Sequence, residues 1–174
     1  MKRHALFIVP QIGFNYFELI TIRKKLEKNH IRCSIASYSK GTVISKDKKT
    51  LNAEHIICEL KAADFDCLIF VGGENISNLA KHKCIIKLIQ ESYKEKRLIA
   101  LLCLNSALLL PKAGLMEGRK VTVFETRNNW SREHVLEKKG ILIEEPVVID
   151  ENIITCKDEK DAGLIADKIL ERLL

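Results

Sequence analysis

Three short segments made almost entirely of consecutive apolar residues constrain the fold of this chain most strongly. They are Ala5–Val9, Phe65–Val71 and Leu98–Cys103. A strand with one face in water alternates polar and apolar residues, whereas a continuous apolar run is typical of a strand covered on both faces. Such strands occur mainly in parallel sheets that lie between two layers of helices. The three segments therefore predict the centre of a parallel sheet.

Helical periodicity separates these strands along the chain. Residues 15–28, 83–96 and 162–173 carry apolar side chains with the i, i+3, i+4 spacing of an amphipathic helix. Strands that alternate with helices at these intervals predict a doubly wound α/β sheet, mostly parallel, with helices on both faces. The length of 174 residues is typical of one domain. We therefore predict a single domain over residues 1–174.

The remaining elements are less regular. Residues 39–63 mix β-prone pieces with polar residues and predict a small antiparallel unit, whereas the polar segment Glu125–Gly140 receives no assignment. The other predicted elements are a strand at Ile31–Tyr38, a short helix at Asn105–Leu110, a strand at Lys120–Phe124, and a hairpin of Val147–Ile149 with Ile153–Cys156.

Composition excludes several classes of function. The net charge of +6 is spread over short lysine clusters that acidic residues interrupt, and no nucleic-acid-binding motif accompanies it. The longest apolar stretch, Leu98–Leu110, is too short to span a membrane. The six cysteines lack metal-site or redox-motif spacing, so we expect free thiols, no disulfide framework, no metal, no cofactor and a reducing cytoplasm.

Cys103 is the strongest candidate for chemistry, because it lies between a buried strand and the following helix. Ligands of doubly wound sheets bind beyond the carboxyl ends of the strands. A helix N-terminus there stabilises a thiolate, as in a nucleophile elbow. The backbone amides of Leu104 and Gly73 are candidate donors to an oxyanion. The alternative is that Cys103 is a small buried hydrophobic residue, the usual state of a free cysteine.

Glu18 is the second candidate, and its sequence context allows two interpretations. Asn15 as the N-cap and Glu18 three residues later form a capping-box pattern, which needs no catalytic role. Alternatively, Glu18 lies over the Cys103 sulfur, where burial keeps the carboxyl neutral and able to donate a hydrogen bond. None of the five histidines forms a metal or triad motif, although His134 lies in a segment that could reach the same edge of the sheet.

Several blocks of the sequence, taken in order, resemble the ThiJ/PfpI superfamily. The resemblance implies a flavodoxin-like fold related to class I glutamine amidotransferases, a homodimer, and a reactive Cys103 assisted by Glu18. The resembling blocks are Phe7–Pro10 with Gly13-Phe14 and Glu18, Asp64–Gly73 with Val71 in place of the usual proline, Ile99–Cys103, Ala113–Thr122 and Val148–Thr155.

Departures from the family pattern narrow the implied activity. Leu104 stands where peptidase-type members have a histidine, and Ser77 falls near the place of their third catalytic residue. Asn105 and Ser106 replace the glycine and proline of deglycase-type members, and Phe124 replaces their histidine. A nucleophile without a nearby base is poorly activated for acyl transfer, so peptidase activity is disfavoured.

The resemblance therefore favours cysteine-dependent stress protection of the glyoxalase or deglycase type, acting on small reactive carbonyls through Cys103 and Glu18. Gly72, Asn105 and Phe124 are expected to line the pocket for a small-molecule substrate. The alternative is a redox sensor or chaperone that uses an oxidisable Cys103 without turnover.

Overall fold

The computed structural model describes residues 3–174. Its helices are α1 (Tyr16–Lys28), α2 (Ile76–Leu79), α3 (Lys83–Lys94), α4 (Asn105–Lys112), α5 (Trp130–Glu137) and α6 (Ala162–Leu173). Its strands are β1 (His4–Ile8), β2 (Ile12–Phe14), β3 (Arg32–Ser37), β4 (Gly41–Ser45), β5 (Thr50–Ala53), β6 (His55–Ile56), β7 (Cys67–Phe70), β8 (Leu98–Leu102), β9 (Lys120–Val121), β10 (Ile141–Leu142), β11 (Val147–Asp150) and β12 (Ile153–Cys156).

Seven strands form the central sheet in the order β11-β12-β8-β7-β1-β3-β6. Every neighbouring pair is parallel except β11 and β12, which form the antiparallel hairpin predicted near the end of the chain. The three strands predicted as buried, β1, β7 and β8, lie side by side in the middle of this sheet. The fold is therefore the predicted flavodoxin-like α/β architecture.

Helices cover both faces of the sheet, because consecutive residues of each central strand point to opposite sides. In β1, Leu6 and Ile8 pack in the core that contains α3, α4 and α5. The intervening Ala5 and Phe7 pack in the core on the opposite face, together with α1 and α6. Both faces are fully buried, which explains why these strands are continuous apolar runs.

Strands β2, β4 and β5 form a second, three-stranded sheet. Strands β4 and β5 pair antiparallel, and β2 pairs parallel to β4. This hairpin confirms the antiparallel unit predicted within residues 39–63. Its turn places Lys46 beside the end of β2, where the Lys46 N–H donates to the carbonyl of Phe14 at 2.9 Å.

The predicted strand Lys120–Phe124 was too long. Only Lys120–Val121 forms a strand, which pairs with β10 outside the central sheet. The next residue, Thr122, is held by side chains instead of a neighbouring strand: its N–H donates to Thr155 Oγ1, and its carbonyl accepts from Ser106 Oγ. The unassigned segment Glu125–Gly140 contains helix α5.

The expectation that every cysteine is a free thiol was also wrong. Cys58 and Cys84 form a disulfide, with Cα atoms 5.2 Å apart and a sequence separation of 26. The tertiary fold brings the two cysteines together, because it packs the turn after β6 against the start of α3. No short spacing in the sequence predicts this disulfide. None of the helices in residues 3–174 has both the length and the hydrophobicity needed to cross a membrane.

Candidate active site

Cys103 lies directly after β8, at the carboxyl edge of the central sheet. Its backbone is left-handed, with φ of 56°, a conformation that non-glycine residues seldom adopt. Its N–H donates to the carbonyl of Cys156 on the neighbouring strand at 2.9 Å, and α4 begins two residues later. This sharp strand-to-helix turn has the form of a nucleophile elbow, and it lifts the side chain out of the sheet.

Glu18 reaches the same place from the first turn of α1. Asn15 is the N-cap of α1, and its side chain accepts a hydrogen bond from the Glu18 N–H at 3.2 Å. The reciprocal half of the capping box is absent, because the Asn15 N–H donates to the carbonyl of Gly72. The Glu18 carboxyl is thereby free for other partners, and the side chain is completely buried.

The two carboxyl oxygens of Glu18 have different partners. The Gly72 N–H donates to Oε2 at 2.6 Å. The Cys103 thiol donates to Oε1 at 2.8 Å. Since Oε2 already accepts from a backbone amide, a proton on this carboxyl belongs on Oε1, the oxygen that faces the sulfur. The pair can therefore pass one proton between sulfur and carboxyl.

Burial governs the protonation of both groups. Desolvation raises the pKa of Glu18, and the hydrogen bonds from Cys103 and Gly72 oppose that rise only in part. Desolvation also raises the pKa of the Cys103 thiol, and the negative charge of Glu18 adds to the effect. A proton is therefore retained within the pair.

Two consecutive glycines let the backbone approach this pair closely. A Cβ atom on Gly72 would lie 2.9 Å from Glu18 Oε2 and 3.0 Å from Cys103 Sγ. A Cβ atom on Gly73, whose φ is 130°, would lie 2.3 Å from the carbonyl oxygen of Gly13. A side chain at either position would displace the site or the loop before α1.

An open cavity of about 530 Å³ lies above the Cys103 sulfur. The predicted site residues Gly73, Leu104 and Phe124 line it, and Phe124 is 40% exposed. Gly72 was expected in the pocket, but it is buried, and its N–H and carbonyl are both taken by the residues that build the site. The cavity gives a small molecule direct access to Cys103.

The expectation that Asn105 lines the pocket was wrong. Asn105 is completely buried, and its Nδ2 donates to the carbonyls of Phe70, Val71 and Leu102 at 3.0–3.1 Å. These carbonyls belong to the ends of β7 and β8, which no longer pair there. Asn105 therefore holds together the two strand ends that carry Gly72 and Cys103.

Sequence reasoning missed a polar group at the rim of the cavity. Glu159, in the 3₁₀ turn after β12, accepts hydrogen bonds from Lys46 Nζ at 3.0 Å and from the Asn15 side chain. These residues lie 113 and 144 positions from Glu159 in the chain. Their sequence contexts carry no shared motif, so only the folded chain reveals the contact.

The histidines lie elsewhere. Within residues 3–174, no histidine lines the cavity above Cys103. His134, which the sequence left as a candidate, stacks on Trp130 with ring centroids 5.0 Å apart. The described part of the chain also holds no cluster of three or more histidine, cysteine, aspartate or glutamate side chains suited to a metal ion.

Comparison with known proteins gives a family match and several relatives. The model of the DJ-1/PfpI family matches residues 3–172. An uncharacterised protein of Methanocaldococcus jannaschii is 27% identical, over 97% of this chain and 82% of that one. A deglycase of Thermococcus kodakarensis is 23% identical, over 90% of this chain and 91% of that one.

Solved structures give the same result for the fold. The ThiJ/PfpI domain protein of Brachyspira murdochii superposes with a TM-score of 0.90, covering 99% of this chain and 98% of that one, at 21% sequence identity. At this identity the likeness concerns the fold alone.

Proposed function

Because this chain belongs to the DJ-1/PfpI family, we propose that it removes small reactive carbonyl compounds, with Cys103 as the nucleophile and Glu18 as the proton carrier. The observation that carries the proposal is the 2.8 Å hydrogen bond between Cys103 Sγ and Glu18 Oε1 beneath an open cavity. The name of the Thermococcus relative, a deglycase, supports the same class of chemistry.

The first step is addition of the thiol to an aldehyde. The sulfur forms a bond to the carbonyl carbon while its proton passes to Glu18 Oε1 and from there to the carbonyl oxygen, which gives a hemithioacetal. With a 2-oxoaldehyde, the hydrogen on the thiol-bearing carbon then moves to the neighbouring carbonyl carbon, and the proton of the hemithioacetal hydroxyl moves to the oxygen of that carbonyl. A thioester of a 2-hydroxy acid results. Water hydrolyses the thioester, releasing the acid and restoring the thiol. Water is the only co-reactant.

The amides of Leu104 and Gly73 are the proposed donors to the oxygen that gains negative charge in the addition. Support comes from their position, because both residues line the cavity that holds the sulfur. Peptide hydrolysis has no comparable support. It needs a base that accepts the nucleophile's proton and returns it to a leaving amine, and no histidine lines this cavity within the described residues.

The second candidate function is oxidation sensing. Cys103 is a free thiol that borders the cavity, whereas the free thiols of Cys67 and Cys156 are buried. A peroxide would oxidise the sulfur of Cys103 to a sulfenate and then a sulfinate, with loss of water at each step. Glu18, protonated on Oε1, would donate a hydrogen bond to an oxygen of the product.

Methylglyoxal consumption tests the proposal. We expect turnover by the wild type, none by Cys103→Ser, and about a hundredfold loss in Glu18→Gln, since a general acid–base contributes 10²–10⁴-fold. Cys33→Ser removes another partly buried free thiol and should match the wild type. Absence of turnover in the wild type, together with Cys103 sulfinate in the mass spectrum after mild peroxide, would favour the sensor instead.

The resemblance also implies a homodimer, which we include in the proposal. Ile12 and Phe17 are each 54% exposed and flank the loop that leads into α1, so they offer apolar surface for a second copy. Sedimentation velocity of the wild type and of Phe17→Glu tests this: the wild type should sediment as a dimer and the variant as a monomer.

A further inference from the structure

Three segments that are distant in sequence meet at the rim of the cavity above Cys103. Asn15 precedes α1, Lys46 follows β4, and Glu159 lies in the turn after β12. The Glu159 carboxylate accepts hydrogen bonds from both of the other side chains. Lys46 and Glu159 keep 39% and 48% of their side-chain surface exposed, so the pair faces the solvent through which a substrate enters.

The charges around the cavity do not balance. Its lining includes one lysine, Lys46, and three acidic residues, Glu74, Asp158 and Glu159, which amounts to a net charge of −2. Lys46 is already neutralised by Glu159. Within residues 3–174, Glu74 and Asp158 form no salt bridge that would offset their charges.

Both members of the rim pair are charged at neutral pH. The salt bridge with Lys46 lowers the pKa of Glu159, and the same contact raises the pKa of Lys46. Lys46 and Glu159 line the same cavity as Cys103. The charge of the rim therefore acts on a molecule that approaches the sulfur.

We infer that the cavity above Cys103 accepts uncharged and cationic carbonyl compounds and rejects anionic ones such as 2-oxo acids, because Glu74 and Asp158 carry unneutralised charge and Glu159 engages the one lysine of the lining. The inference rests on the proposed function, because it assigns the charge class of the substrate at the same thiol. Two unneutralised carboxylates repel an incoming anion and attract a cation. The Lys46 charge is not available to an anionic group, since Glu159 engages it.

Substitutions of the two residues of the rim pair, Lys46 and Glu159, should have opposite effects. Glu159→Gln releases the Lys46 charge and should raise the reactivity of Cys103 towards anions relative to cations. Lys46→Gln leaves three carboxylates without a cation. It should therefore lower the reactivity of Cys103 towards anions relative to cations. One unit charge at this solvent-exposed rim should change the ratio by about three- to tenfold, as Coulomb's law gives for charges a few Å apart in a water-like dielectric.

Methanethiosulfonate reagents measure the charge preference at Cys103 without any need for carbonyl turnover. Cys103 forms a disulfide with the reagent, methanesulfinate leaves, and the thiol proton goes to solvent. Three reagents differ in the group delivered: methyl, trimethylammonioethyl or sulfonatoethyl. Mass spectrometry of the Cys103 peptide gives each rate, which is divided by the rate of 2-mercaptoethanol, an uncharged thiol, with the same reagent. Lys49→Gln is the matched control, because Lys49 carries the same charge but contacts Asp47 and Tyr16 instead of the cavity.

We expect normalised rates in the order cationic, neutral, anionic, with the difference shrinking in 1 M salt because the Debye length falls to about 3 Å. Equal rates, a preference for the anion, a shift of the same sign in Glu159→Gln and Lys46→Gln, or no reaction of Cys103 with any reagent would each overturn the inference. If the expected order appears but methylglyoxal is not consumed, the proposed function fails while the charge selectivity stands.

Discussion

The sulfur of Cys103 lies 2.8 Å from Oε1 of Glu18, across 85 residues of sequence. Each residue lies next to the end of a secondary-structure element: Cys103 directly follows β8, and Glu18 lies in the first turn of α1. The Gly72 N–H fixes the other carboxyl oxygen, so the orientation of the carboxyl group is determined as well as its position.

Glu18→Gln should stabilise the fold at neutral pH. Burial raises the folded-state pKa of Glu18, so the unfolded chain loses this proton first as the pH rises, and wild-type stability falls between the unfolded and folded pKa values. Glutamine does not titrate in this range, and it can keep both hydrogen bonds: its carbonyl oxygen accepts from the Gly72 N–H and its amide N–H faces the sulfur. We expect equal free energies of unfolding for the two proteins near pH 4, and an advantage of about 1 kcal/mol for the variant above the folded pKa.

Urea unfolding of both proteins from pH 4 to pH 8 measures this difference. Glu117→Gln provides the control, because Glu117 is 73% exposed and its removal should leave the pH dependence unchanged. A variant that is less stable than the wild type at every pH would contradict the argument from burial.

Gly72→Ala should separate the Cys103 thiol from the Glu18 carboxyl group. Its methyl group would lie within about 3 Å of both Glu18 Oε2 and Cys103 Sγ, closer than van der Waals contact allows. We expect a loss of about 1–3 kcal/mol in stability from this overpacking, and at least a tenfold loss in methylglyoxal consumption, because small misplacements of reacting groups are costly.

The matched control for that substitution is Gly163→Ala at the start of α6, where an added methyl group meets no atom within 4 Å. It should keep full activity and unfold at the same or a higher urea concentration. Wild-type activity in Gly72→Ala would mean that the close approach of this backbone is not required.

Asn105→Ala should destabilise the protein strongly. The substitution leaves the carbonyls of Phe70, Val71 and Leu102 without the amide that now donates to all of them. Unsatisfied buried acceptors cost about 1–3 kcal/mol each, and partial relaxation suggests a total loss of about 3 kcal/mol in the free energy of unfolding. Asn78→Ala, which removes an exposed side chain bonded to Lys81, should change stability by less than about 0.5 kcal/mol.

The Cys58–Cys84 disulfide predicts a thiol count. The chain has six cysteines, of which four are free, so titration with Ellman's reagent under denaturing, non-reducing conditions should give four thiols, and six after reduction. Closing a loop with a 26-residue separation should stabilise the folded state by about 3 kcal/mol. Cys84→Ser should lose that amount, whereas Cys33→Ser should not. Six thiols before reduction would show that the bond is absent.

The sequence by itself determined the sheet and the place of the site. Continuous apolar strands must be covered on both faces, so β1, β7 and β8 could be identified as the centre of a parallel sheet, and the carboxyl ends of such strands locate the ligand. Cys103 followed from that rule, and the family resemblance singled out Glu18. The sequence also contains a capping-box pattern from Asn15 to Glu18. That pattern did not determine the orientation of the Glu18 carboxyl group.

Only the tertiary structure decided the contacts that define the chemistry. The Gly72 amide, and not the Asn15 N–H, takes a carboxyl oxygen of Glu18, because the loop after β7 packs on the start of α1. Asn105 looked like a pocket residue and proved to be buried between two strand ends. Lys46 and Glu159 meet across 113 residues. Local sequence patterns report which face of an element is buried, whereas long-range polar contacts depend on how separate elements are brought together, and no local pattern records that.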